Sequence, residues 1–163
     1  MNAPMRTPIQ FDVQTLVQAI GRNQSIDSFV PVLTHAQWEL LGSYMQPFTL
    51  SPNQVLIEQN AVDRTLYLVE TGSLNVHYED SKGRIRLAVV GPGSAVGEGA
   101  FFTRAPRSAT VQASVSSKVW SLTPIRFTEL CHRHPEVALA VAMALGALVS
   151  RRLVNKPKRV AVT

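Results

Sequence analysis

The sequence predicts a mainly β fold with helices: an antiparallel β-roll or jelly roll flanked by N-terminal helices and a C-terminal helix pair. Three observations carry this. Between Phe48 and Leu122, short β-rich runs follow one another with turn signals between them. On either side the apolar spacing lengthens to that of a helix. The 163 residues, 45% apolar and 17% charged, suit one domain that buries its own core; a wholly disordered chain carries less apolar and more charged residues.

The elements follow in order. Residues 1–10 hold two prolines and few apolar side chains and read as an arm. From Phe11 to Arg22, Val13, Leu16, Val17 and Ile20 recur at helical spacing, a short amphipathic helix that with the arm makes up an N-terminal region of residues 1–32. Thr34 opens a second helix. Gln37 stands three residues on in a capping-box pattern, and Leu33 and Trp38 occupy the two staple positions. Pro47 ends that helix near Gln46. Strands are expected at Gln54–Glu58, Leu66–Glu70, Leu74–Tyr78, Arg84–Val90, Ala109–Val115 and Val119–Leu122. Pro124 then starts one short helix to His132. Pro135 starts a longer one to about Leu153, both prolines suiting a first helical turn, and Asn155 and Pro157 stop it. No internal repeat is visible.

Net charge is +5, but its location matters more than its size. Arg151, Arg152, Lys156, Lys158 and Arg159 account for five of the sixteen basic residues. The eleven that remain balance eleven acidic ones, so the first 150 residues are neutral. The basic character belongs to a short tail, either solvated or touching an anionic partner. The longest apolar run, Val137–Val149, would span roughly 20 Å as a helix, short of a bilayer core of about 30 Å, so no membrane span is expected. The N-terminus lacks the apolar stretch of a signal peptide. Cys131 is the only cysteine, which excludes an internal disulfide and multi-cysteine metal sites and points to the cytoplasm.

The segment from Gly97 to Thr110, GEGAFFTRAPRSAT, interrupts the strands. Glycines before a short helical stretch present free backbone N–H groups, which attract an anion. Arg107 offers a planar fork for two phosphate oxygens, and Glu98 accepts hydrogen bonds, as from a sugar hydroxyl. A carboxylate and a guanidinium nine residues apart, bridged by one helical turn, can face the same cavity. The bland reading pairs the two with each other.

These residues resemble the cyclic nucleotide-binding domain family, whose phosphate cassette reads approximately F-G-E-x-A-L…P-R-x-A-T. Gly97, Glu98, Ala100, Pro106, Arg107, Ala109 and Thr110 match at the family's spacing. The likeness runs from Leu33 to Leu153, through Tyr67, Gly72 and the Gly91-Pro92-Gly93 turn, with residues 154–163 left as the basic tail. It implies a sensor domain like that of the cAMP receptor protein. Glu98 would then hold the ribose 2′-hydroxyl and Arg107 the cyclic phosphate, with amides near Gly97, Gly99 and Ala100 and the amide and hydroxyl of Ser108 completing the cradle. Val96 and Ala109 flank it. Val96 replaces a frequent Phe and Gly99 a usual aliphatic, while Asn53 and Asn60 stand where glycine is frequent and tolerate left-handed backbone. The resemblance also implies a lid between Leu145 and Leu153, where Arg151 or Arg152 could stack on the base as a planar cation.

No acidic residue follows Glu136, so the lid offers no acceptor specific to guanine, and cAMP is expected ahead of cGMP, which the Ser108 hydroxyl does not exclude. Regulators of this family that bind DNA carry a helix-turn-helix after the last helix; ten residues follow Leu153, so direct sequence-specific DNA binding is not expected. Catalysis, a metal and a cofactor are not expected either. A metal-dependent β-barrel enzyme needs several histidines and a carboxylate on neighbouring strands, and only His77 falls in a predicted strand. His35, His132 and His134 are isolated or on different helical faces. Cys131 reads as a buried or half-buried thiol. Along Val137–Val149, Ala138, Ala142 and Gly146 recur every fourth position, through core packing or through a helix-pair contact with a second copy or an effector protein. The rival class is a protein-interaction domain that kept the fold and lost the ligand.

Overall fold

The computed structural model describes residues 11–155. Helix α1 spans Val13–Arg22 and α2 His35–Tyr44. Five strands follow: β1 Gln46–Leu50, β2 Val55–Ile57, β3 Leu66–Thr71, β4 Leu74–Asp80 and β5 Gly83–Val90. Next come β6 Ala95–Val96, α3 Glu98–Thr103, β7 Thr110–Ala113 and β8 Ser117–Leu122, and then α4 Pro124–Arg133 and α5 Pro135–Val154. The strands form two four-stranded antiparallel sheets, ordered β1-β8-β3-β6 and β2-β7-β4-β5. The predicted β-roll with N-terminal helices and a C-terminal helix pair is the observed architecture.

Local chemistry sets the boundaries. Asp12 caps α1, its side chain accepting from the Gln14 amide. At α2 the Thr34 hydroxyl accepts from the Gln37 amide while Gln37 Oε1 accepts from the Thr34 amide, the reciprocal box the sequence predicts. The helix stops at Tyr44, earlier than expected. Pro47 sits inside β1 opposite Trp120, and because β1 is a sheet edge its missing N–H costs no ladder bond. The six predicted strand segments are all present, four of them one or two residues longer than expected and two shorter (Val55–Ile57 and Thr110–Ala113), while β1 and β6 have no counterpart among them.

Two cores result. Between the sheets, Leu50, Val69, Leu74 and Val119 interdigitate. Outside the first sheet, Leu16, Phe29, Leu41, Leu130, Leu145 and Leu148 are sealed between the helices and Trp120. Strand alternation feeds both cores: Val69 faces one, Leu68 the other. Glu70, 5% exposed, points with Leu68 toward the helices. It accepts from the Thr15 hydroxyl (2.6 Å) and Trp120 Nε1 (3.0 Å) and pairs with Lys118 (2.7 Å), so it ties α1 to the roll. Burial opposes its charge, but the hydrogen bonds from Lys118, Thr15 and Trp120 outweigh this and hold the carboxyl below its ordinary range.

The linker between α1 and α2 lies over the turn before β6. Phe29 N–H donates to Gly93 O (2.9 Å), and the Asn23 amide donates to Pro92 O (3.0 Å). Gly93 has φ +83°, and a Cβ there would stand 2.8 Å from Ala19 O. In α4, Leu130 takes the buried face, so Cys131, one residue and about 100° further round, is exposed, contrary to the sequence reading. In α5 the four-residue spacing of Ala138, Ala142 and Gly146 drifts by about 40° per step, carrying the row from buried through half-buried to exposed. The twenty residues of α5 exceed the thirteen-residue apolar run and have the length and composition to cross a membrane; here one side packs into the helical core. Lys156, Pro157, Lys158 and Arg159 lie outside the described residues.

Candidate functional site

The segment between β6 and β7 folds over a cavity of about 550 Å³. Its wall takes in Val96, Gly97, Glu98, Gly99, Ala100, Arg107, Ser108 and Ala109, while Pro106 and Thr110 of the cassette do not line it. From the lid segment it takes Val149, Arg152 and Leu153. Arg151 points elsewhere: its Nε donates to Ile26 O (2.8 Å) and its Nη2 to Ser28 O (2.6 Å), fastening α5 to the linker.

Backbone geometry builds the cassette. Gly97 adopts φ +86° and starts the six-residue α3, whose first N–H groups have no carbonyl within the helix to bond. A Cβ on Gly97 would lie 2.7 Å from Arg107 Nη1 and 2.8 Å from Thr65 O, so only glycine lets the arginine fork reach the backbone there. Asn60, in left-handed geometry at φ +69°, turns the chain so that its N–H donates to Arg107 O (2.8 Å) while Arg107 N–H donates to Ala61 O (2.8 Å). Arg64 holds the far side of α3, donating to Ala100 O and Phe101 O.

Arg107 and Glu98 do not pair with each other. Arg107 is 3% exposed. Its Nη1 donates to Gly97 O (3.0 Å), and its Nη2 to Thr65 O (2.6 Å) and Asp63 Oδ2 (2.7 Å). Its Nε–H has no partner, and it is the one such buried side-chain polar atom among the described residues. Burial pushes the Asp63 carboxyl up, but hydrogen bonds from Arg107 and Thr65 bring it below its ordinary range. Glu98 accepts instead from Arg152 Nη1 (2.8 Å). Burial opposes the charge of Arg152, but Asp27 and Glu98 together outweigh it and raise its pKa. Apart from Ser108 and Asn155 the rest of the wall is apolar, with Ile57, Val76, Leu87, Val89 and Val111 among its residues. A guanidinium with a free donor, a carboxylate and many apolar side chains in one wall suit a small anion carrying a hydroxyl and a flat apolar group.

Asp63, Ile26 and Asp27 are not among the site residues expected from the sequence. Asp63 is the last residue of the turn signal Gln59-Asn60-Ala61-Val62-Asp63 and carries no local signal for Arg107, and Asp27 reaches the cavity only through the path of the linker.

The family model of the cyclic nucleotide-binding domain matches residues 47–134. This chain belongs to that family. It is 33% identical over 86 residues to the cAMP-dependent protein kinase regulatory subunit of Blastocladiella emersonii, an alignment covering 52% of this chain and 21% of that one. The chain therefore spans about a fifth of that relative's length. Among solved structures, a cyclic nucleotide-binding domain from Methylobacillus flagellatus superposes with TM-score 0.79 at 23% identity, covering 91% of this chain and 82% of that one. The regulatory domain of Toxoplasma gondii PKA, crystallised with cAMP, gives TM-score 0.62 at 27% identity over 74% of this chain and 46% of that one.

Proposed function

We propose that the chain is a non-catalytic receptor module for a cyclic mononucleotide, cAMP ahead of cGMP. The observation that carries this is the buried, unpartnered Nε–H of Arg107 in the cavity wall. A guanidinium that is 3% exposed with its Nε–H unpartnered is set to meet an oxygen anion, and a phosphate supplies one. In this reading Arg107 holds the cyclic phosphate, with the amides at Gly99, Ala100 and Ser108 beside it. Glu98 accepts from the ribose 2′-hydroxyl, and the base lies on the apolar surface of Leu87, Val89, Val149 and Leu153. No carboxylate on α5 faces that surface, which favours adenine over guanine.

Occupancy would pass to α5, since Arg151 and Arg152 fasten its end to the linker and the cassette. The outer face of α5 exposes Leu139 and Met143, the surface through which a second copy or an effector protein would read the change. This reading needs no DNA contact and no membrane, and places the module in the cytoplasm. A thermal-shift series with cAMP, cGMP, a cyclic dinucleotide and linear AMP tests it. At a hundredfold excess over Kd the gain is about 2.7 kcal/mol, a rise of several degrees for a chain of this size. cAMP is expected to give the largest shift, then cGMP. Linear AMP shifting as far as cAMP would contradict the cyclic-phosphate reading, and no shift with any of them would favour a ligand-free interaction domain.

A further inference from the structure

The guanidinium of Arg152 joins three distant parts of the chain. Its Nε donates to Asp27 Oδ1 (2.5 Å), its Nη1 to Glu98 Oε1 (2.8 Å), and its Nη2 to Ala95 O (2.7 Å) and Ser94 Oγ (3.0 Å). The Ser94 hydroxyl in turn donates to Asp27 Oδ2 (2.9 Å), so both oxygens of Asp27 are engaged. Glu98 is different. Only Oε1 is bonded among the described residues, and the side chain lines the cavity with Oε2 available to accept. The three charged side chains are 22–31% exposed, screened from bulk water without being sealed from it.

We propose that Asp27 and Arg152 are positioning residues for Glu98: Asp27 fixes one edge of the Arg152 fork, and the fork's other arm orients Glu98 toward a sugar hydroxyl. The proposal rests on the nucleotide reading above, and both residues lie outside the family-matched span 47–134. A glutamate has three rotatable side-chain bonds, and a planar fork held at two carboxylates removes that freedom before a ligand arrives. Without Asp27 the fork could swing to grip Glu98 with both arms, occupying the oxygen the ligand needs.

Isothermal titration of wild type, Arg152→Gln and Asp27→Asn with cAMP and with 2′-deoxy-cAMP separates positioning from mere fastening. Arg152→Gln is expected to weaken cAMP about five- to tenfold, the scale of one hydrogen bond, while changing 2′-deoxy-cAMP less than about twofold. Asp27→Asn should show the same selectivity at about two- to fivefold, and if Arg152→Gln fails to fold it carries the test alone. Equal losses for both nucleotides would mean a structural clasp and overturn the proposal, as would unchanged or tighter cAMP binding. Wild type that binds neither nucleotide overturns the nucleotide reading and the proposal with it. Wild type that binds both, with unselective variants, overturns the proposal only.

Discussion

Arg107→Ala separates the two tasks of one side chain. In the structure its Nη atoms support the fold by donating to Gly97 O, Thr65 O and Asp63, while its Nε–H is free to meet a ligand. The truncation leaves two carbonyls without their donors. Asp63 is 48% exposed and regains water, so the cost falls mainly on the carbonyls and comes to about 1–3 kcal/mol. At about 2–4 °C per kcal/mol, the melting temperature should fall by several degrees with the domain still folded at 25 °C. Affinity should suffer more. A phosphate charge held in a partly enclosed site without its cation costs about 2–4 kcal/mol, which is roughly 30- to 700-fold in Kd. Arg107→Lys keeps the charge and loses the fork, and should fall between. Calorimetric titration with cAMP, run on variants shown to be folded by circular dichroism, reads the affinity, and melts read the stability. Wild-type affinity in Arg107→Ala would refute the assignment, and a stability loss alone would assign Arg107 to the fold rather than to the ligand.

Gly97→Ala should lower stability by about 1–3 kcal/mol and weaken cAMP binding, because its Cβ meets Arg107 Nη1 and Thr65 O in a backbone region side chains avoid. Gly99→Ala, whose Cβ meets nothing within 4 Å, serves as the control, and equal effects in melts and titrations would contradict the steric argument. Acid should destabilise the domain. Glu70 and Asp63 both have folded-state pKa values below their ordinary ones, so their stabilisation is complete above about pH 4–5 and is lost as the pH falls through the lowered values. Melts from pH 7 down to 3 should show the loss, and Glu70→Gln should flatten it; an identical acid profile in that variant would remove Glu70 from the account.

The sequence makes visible what depends on neighbours along the chain. Thr34 and Gln37 close their box within one helical turn, and Pro124 and Pro135 start α4 and α5 for reasons local to a first turn. Glu98 and Arg107 are legible because a six-residue helix carries one toward the other's cavity. Their partners are not. Asp63 is brought in by the roll, and Arg152, expected from the sequence as a lid residue over a base, meets Glu98 only through the path of α5, a pairing that local spacing does not record. Strand β6, two residues long, lacks the length for a periodic signal, and β1 is obscured by Pro47, a residue that argues against a strand until its place on an edge is known. Cys131 is exposed although cysteine as a residue type favours the interior, because its phase on α4 turns it outward.

The closing of the roll by β1 against β8 has a kinetic consequence. Gln46 lies opposite Ser121 and Leu50 opposite Ser117, so the first strand of the sheets is paired with the last, and the cassette hangs within the loop those pairings close. Contacts so remote in sequence form late, after the loop entropy has been met, and refolding should be slow for a chain of this size. The proposed site, with Glu98 and Arg107 and with Asp27 and Arg152 positioning Glu98, is incomplete before that closure, so on this reading a nucleotide has little to grip on the way to the native state. Its stabilisation should then fall on the return path: bound ligand slows unfolding and leaves the rate of folding where it was.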